Sequence, residues 1–175
     1  MATPQPVVLA APMPSRFGAP LYATDLVVEA ASPFRVLEDT FGHRLAWTVR
    51  HSHSGFNAPR HHLLRYREPG RRARMFREAV GPLVTARAVV DAVVEGRAEV
   101  GPLDAWWHEL LKLHEPAIAS RLRVVASTEA VPAPPLVGSP GLAEDAAGRL
   151  RAALLAVGAR PELALDGFAA VPASA

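Results

Sequence analysis

The sequence predicts an α/β fold. β-Branched runs alternate with segments of helical periodicity, the order that builds a sheet flanked by helices. Seventeen prolines and twelve glycines among 175 residues cut the chain into many short elements. One strand-to-helix junction, residues 47–64, gathers small polar side chains and a glycine at its turn.

Residues 22–28, which end in Leu-Val-Val, read as a strand. Ser32 and Pro33 mark a helix start, followed by a short helical stretch at 36–40 that stops at Gly42. A second strand is expected at 45–49 and a polar turn at 51–55. A helix follows at 56–66, with Pro59 tolerated in its first turn. Residues 68–74 read as loop and 75–80 as a strand closed by Gly81 and Pro82. The stripe Val84, Ala88, Val89, Ala92, Val93 predicts a helix over 84–95 capped by Gly96. A strand at 98–103 then leads to Asp104 as the N-cap of a helix at 105–113. Residues 121–127 form a further strand, 131–135 a proline-rich crossing, and 140–158 an amphipathic helix closed by Gly158. Mixed apolar residues at 163–171 end the chain. Before all of these, residues 1–20 are rich in proline and small residues, with one short apolar run at 7–11. The alternation predicts a largely parallel sheet.

Composition narrows the function. Half the residues are hydrophobic and 21% are charged, the balance of a folded domain rather than a disordered chain. Only 6% are aromatic, so Val, Leu and Ala must build the core. Lys112 is the sole lysine, and the formal net charge is +2. The basic cluster at 65–77, with Arg65, Arg71, Arg72 and Arg74, reads as a solvated loop without interleaved aromatics, and no nucleic-acid partner is expected. The lack of cysteine removes disulfides, thiolate nucleophiles and Cys-based metal sites. Residues 1–14 carry no basic segment before their apolar run and read as neither a signal peptide nor a membrane span.

The junction carries the chemistry. A helix N-terminus presents N–H groups without intrahelical partners and a partial positive charge. Ser52 and Ser54 add hydroxyls there, and Gly55 allows close approach of the backbone. Together they suit a tetrahedral oxyanion, although an N-cap serine beside a turn glycine also occurs in helices that bind nothing. Asp104, at the carboxyl end of a strand, is an N-cap and also stands where open α/β sheets receive ligands.

The ordered series Tyr22-Ala-Thr-Asp-Leu-Val-Val28, Ser32-Pro-Phe-Arg35, Ser52-His-Ser-Gly-Phe56, Leu103-Asp104 and Arg121-Leu-Arg-Val-Val125 resembles the phosphate/phosphonate-type substrate-binding proteins of ABC transporters. The resemblance runs from about residue 20 onward. It implies a type 2 periplasmic-binding-protein fold with one complete αβα lobe, residues 29–125. Residues 1–28 and 126–175 would supply hinge strands and an incomplete first lobe lacking the family's N-terminal part. The crossings would be 26–28 and 124–128. By the same resemblance, Ser52, His53, Ser54 and Gly55 match the anion-binding turn, and Tyr22 an aromatic that flanks the cleft. Asp104 matches an acidic residue that contacts the ligand, and Thr128 lies at the return crossing. Relatives often carry a Gly-Ser-His-like turn before the helix at 84–95, where this chain has Gly81-Pro-Leu-Val-Thr-Ala86; Thr85 supplies a hydroxyl but the histidine is gone. The implied function is capture of a small anionic solute such as phosphate, phosphite or phosphonate, delivered to an ABC permease. The implied compartment is the periplasm, though without a signal peptide in residues 1–14 the cytoplasm stays open. No cofactor is implied.

Other readings remain open. His51, His53, His61 and His62 could suit zinc, but no acidic residue lies among them and adjacent His61 and His62 face different sides of a helix. Ser52 or Ser54 beside His53 does not form the separated nucleophile and base of acyl transfer. His108, His114, Glu109 and Glu115 are expected on an exposed helix face. A sensor or partner-binding module is the main alternative, with a homodimer or another partner covering the incomplete lobe.

Overall fold

In chain order the strands are β1 (Val7–Pro14), β2 (Leu21–Tyr22), β3 (Thr24–Glu29), β4 (Arg44–Ala46) and β5 (Glu78–Val80), followed by β6 (Val100–Asp104), β7 (Leu122–Ser127), β8 (Val131–Pro132), β9 (Leu136–Gly138) and β10 (Leu165–Ala169). The α-helices are α1 (Ala58–Leu63), α2 (Ala86–Val94), α3 (Ala105–His114), α4 (Pro116–Ala119) and α5 (Glu144–Leu155). The structure is a computed structural model and describes residues 5–67 and 74–172. Arg71 and Arg72 of the expected basic loop lie outside the described residues. The chain divides into two units, Ala23–Ala130 and Met1–Tyr22 with Val131–Ala175.

The central unit is built on a five-stranded sheet in the order β5-β4-β6-β3-β7. β4 runs parallel to β5 and β6, whereas β3 is antiparallel to both β6 and β7. The sheet is therefore mixed, which corrects the largely parallel expectation. The chain enters the unit through β3, with no helical crossover before it, and so pairs antiparallel with its neighbours. Leu26, Val27 and Val28 are all fully buried, as a strand covered on both faces requires. Their alternation sorts them. Val27 joins the cluster made with Val89, Val93, Leu103 and Leu111 beneath α2 and α3, while Leu26 and Val28 join Leu37, Leu63 and Val100 on the other face. Gly101 brings α2 onto the sheet, since a Cβ there would stand 2.4 Å from Val89 Cγ1.

At the amino ends of β4 and β6, Arg44 clamps Glu99. Nη2 donates to Oε1 at 2.7 Å and the Arg44 backbone N–H donates to Oε2 at 2.8 Å. These bonds hold the Glu99 carboxyl down at about 2, against a partial penalty for burial.

Local signals set many elements of this unit, with departures: the strand expected at 75–80 is only Glu78–Val80, and the helix expected at 56–66 is α-helical only over Ala58–Leu63. Val84 was assigned to the stripe of α2, but the helix begins at Ala86 with Thr85 as its N-cap, and Val84 lies outside it, 66% exposed. The strand expected at 45–49 keeps its pairing only through Ala46. The crossings expected at 26–28 and 124–128 lie within this unit's sheet as β3 and β7.

In the other unit, β1 is the middle strand of a three-stranded antiparallel sheet, β10-β1-β9. Sequence reading saw only an apolar run there because Pro12 and Pro14 argue against a strand interior. β9 pairs with β1 only from Val7 to Ala10, so the proline-bearing half needs partners on the β10 side alone. The buried apolar residues of this sheet and its helix include Ala10, Ala11, Pro12, Pro14, Ala147 and Leu165. The helix expected at 140–158 is shorter, Glu144–Leu155, and its Arg151 donates to the Val8 carbonyl at 3.1 Å. Leu136, Val137, Leu150 and Leu155 are exposed.

Candidate ligand-binding site

Three neighbouring strands, β5, β4 and β6, run parallel, and the chain leaves the carboxyl end of each into a helix. Each helix start carries its own side-chain cap. The Ser52 hydroxyl accepts from the Gly55 N–H at 3.0 Å, where a π-helical turn (His53–Asn57) opens the segment that continues into α1. The Thr85 hydroxyl accepts from the Ala88 N–H at 3.2 Å at the head of α2. Asp104 Oδ1 accepts from the N–H groups of Trp106 and Trp107, at 2.9 and 3.1 Å, at the head of α3. Among the described residues the N–H groups of Ser54 and Ala86 take no acceptor. Three helix N-termini thus converge on one edge of the sheet, the end where open α/β sheets receive ligands.

Thr24, which sequence reasoning passed over, ties the edge together. It is fully buried, lies in register with Asp104, and its hydroxyl donates to the Ser54 carbonyl at 3.2 Å. Its N–H donates to the Thr128 hydroxyl at 2.9 Å, and its carbonyl accepts from the Thr128 N–H at 2.9 Å. Ser54, Asp104 and Thr128, distant in sequence, are brought around one threonine. The signal available was the polar pair Thr24 and Asp25 opening an otherwise apolar strand.

Gly55 has a structural partner of its own. A Cβ there would stand 1.9 Å from Thr48 Oγ1 and 2.8 Å from Thr48 Cβ, so the glycine allows the turn to lie on the end of β4. Thr48 is 7% exposed, and its hydroxyl has no hydrogen-bond partner. His53 is exposed at the turn. Tyr22 belongs to the other unit, where it is buried and in register with Val131.

Behind the edge a polar chain runs from exposed Ser127 into the core. Ser127 Oγ donates to Asp25 Oδ1 at 2.6 Å, and Asp25 Oδ2 lies 2.8 Å from His108 Nδ1. Asp25 is fully buried and His108 is 2% exposed, so the exposed face expected for His108 is corrected. The residue points from α3 into the sheet because the buried carboxylate needs a partner. Burial raises the Asp104 carboxyl above its ordinary value, two backbone N–H bonds oppose the rise, and nearby Asp25 adds to it.

Comparison with solved structures places the fold in a known class. The chain resembles a binding protein component of an ABC phosphonate transporter from Pseudomonas aeruginosa, with a TM-score of 0.76 at 21% identity over 94% of this chain and 57% of that one. A Prochlorococcus marinus protein in complex with methylphosphonate gives 0.76 at 17% identity, over 95% of this chain and 65% of that one. A Xanthomonas citri protein solved with chloride gives 0.67 at 22% identity, over 96% and 64%. The fold is thus that of type 2 periplasmic binding proteins. The chain spans less than two thirds of the length of each of these structures. Residues 2–170 match the model of the phosphonate periplasmic substrate-binding proteins of ABC transporters, and the chain belongs to that family. No curated protein matches the sequence.

Proposed function

We propose that the chain captures a small oxyanion, such as phosphonate, phosphite or phosphate, for an ABC permease. The observation that carries this reading is the row of three capped helix N-termini at the carboxyl ends of β5, β4 and β6. Unpaired N–H groups, helix dipoles and the hydroxyls of Ser54 and Thr85 would hold the anion. Asp104 would orient a second polar group of the ligand, with His53, Gly55 and Thr128 bounding the site. The family is one of periplasmic solute-binding proteins, and we read this chain as binding without catalysis, in that compartment. The chain of Ser127, Asp25 and His108 supports that reading. The serine hydroxyl donates to the aspartate, so the nucleophile-to-base contact of acyl transfer is not made.

Ser54 gives the cleanest test, because its side chain carries no cap. Thermal unfolding of the full chain should rise with methylphosphonate or phosphate concentration, as binding to the folded state alone requires. Ser54→Ala should weaken binding by about 1–3 kcal/mol. An unchanged melting temperature across phosphate, phosphite, methylphosphonate and sulfate would overturn the reading.

A second reading, a ligand-sensing or partner-binding module without a transport role, draws on the exposed Leu136, Val137, Leu150 and Leu155. Its mark would be a stable homodimer or hetero-complex in solution, read by light scattering, that persists without any anion.

A further inference from the structure

Charge is unevenly placed along this chain. The formal net charge is +2, yet residues 40–67 hold five arginines and no acidic residue, so the remainder of the chain is net acidic. Arg44 is neutralised by Glu99. The other four, Arg50, Arg60, Arg65 and Arg67, are exposed and make no ion pair among the described residues. Elsewhere in the same unit Arg87, Arg97 and Lys112 each lie 2.7–2.8 Å from a carboxylate oxygen. Burial of Pro59, His62 and Leu63 turns α1 so that Arg60 and His61 face solvent. Glu38 acts on His62 of this helix, but Arg65 acts on it more strongly. Unpaired surface cations add little to stability, and their mutual repulsion opposes folding, so folding does not account for them.

Their position supplies a reason. Arg50 precedes Ser52 by two residues, which keeps the two Cα atoms within about 7.6 Å. The Arg50 carbonyl accepts from Asn57 Nδ2 at 3.3 Å, which closes the loop around the turn. The Arg60 guanidinium lies over the Phe56 ring, 4.9 Å from its centroid, and Phe56 follows Gly55 directly. Phe56 in turn packs on Trp47, with ring centroids 5.2 Å apart. Both side chains are thus rooted within roughly 10 Å of the Ser54 turn, about a Debye length at 0.1 M salt. An approaching anion feels such a field before it meets any hydrogen-bond donor. Attraction on approach raises the association rate, whereas a charge that does not touch the bound ligand leaves dissociation nearly unchanged.

We propose that Arg50 and Arg60, with Arg65 and Arg67 beyond them, form a basic approach surface that steers small anions onto the Ser54 turn and sets how fast they associate. The proposal rests on the oxyanion reading above. Lineshape analysis of the Ser54 N–H signal, during titration of the isotopically labelled full chain with methylphosphonate, gives both rate constants. At about 10 mM ionic strength R50Q/R60Q should associate about fivefold more slowly than the wild type, the worth of two partly screened charges roughly 10 Å from the anion. Its dissociation rate should stay within about twofold, and the gap in association should close at about 0.5 M salt. R50K/R60K keeps both charges and should associate as the wild type does. An association rate unchanged in R50Q/R60Q at low salt would overturn the proposal, as would an equal loss in R50K/R60K. So would a change carried by the dissociation rate, which marks direct contact with the bound anion. Each of these leaves the oxyanion reading standing. No saturable shift of the wild type with methylphosphonate would remove the oxyanion reading and the steering together.

Discussion

Replacing Gly55 by alanine sets a methyl group against Thr48. The new Cβ would stand 1.9 Å from Oγ1 and 2.8 Å from both Cβ and Cγ2 of that threonine. Rotation about χ1 can move Oγ1 and Cγ2, but the Thr48 Cβ stays in place, so the backbone of the turn must shift. Overpacking of this kind costs about 1–3 kcal/mol, and a contact that no rotamer relieves belongs at the upper end. The helical preference of alanine over glycine returns about 0.5–1 kcal/mol. A net loss of about 2 kcal/mol is expected, read by urea unfolding. The cause is separable by a double-mutant cycle. Thr48→Gly removes the opposing atoms, so G55A should cost little in that background, with a favourable coupling of about 2 kcal/mol. A stability for G55A within 0.5 kcal/mol of the wild type, or strict additivity in the cycle, would refute the packing argument.

Three further outcomes follow from the structure. His108→Ala removes one partner of the fully buried Asp25 and should cost about 3–5 kcal/mol in urea unfolding, whereas Asp25→Asn, which keeps polar contacts, should cost less; a loss below about 1 kcal/mol for H108A would contradict the pairing. Glu99 titrates at about 2 in the folded chain, below its unfolded value near 4.5, so its contribution is present above pH 4.5 and is lost as pH falls toward 2. Glu99→Gln should remove on the order of 2 kcal/mol at neutral pH and flatten stability across that acid window. His62 is buried without a partner on either ring nitrogen, and burial, reinforced by Arg65, lowers its pKa. Its neutral form is the folded one, so stability should fall as pH drops below the unfolded value of about 6.5. His62→Leu should reduce that fall, and an unchanged acid limb between pH 6.5 and 5 would count against the assignment.

Much of the fold was legible where local rules act alone. The apolar run at Leu26, Val27 and Val28, the helix stop at Gly96 and the Asp104 cap before α3 are each set by neighbours in sequence, and each stands where expected. β1 escaped because its prolines are tolerated only through a pairing pattern that local sequence does not encode. Val84 was placed in a helix because an apolar count is blind to φ. Ser52 and Asp104 were legible as caps, since capping is a short-range hydrogen bond, whereas Thr85 was read inside the helix that it caps. Thr24 and Thr48 were not, because their importance comes from Ser54, Thr128 and Gly55, which only the folded sheet brings near. The Asp25 and His108 pair joins residues 83 apart, beyond any spacing rule.

The central claim is that the three helix starts form one oxyanion site, and amide chemical shifts test it most directly. In a titration of the isotopically labelled chain with methylphosphonate, the N–H signals of Ser54, Gly55, Ala86 and Trp106 should move together and saturate at one affinity. Shifts confined to other residues, or no saturable change at these four, would contradict the account.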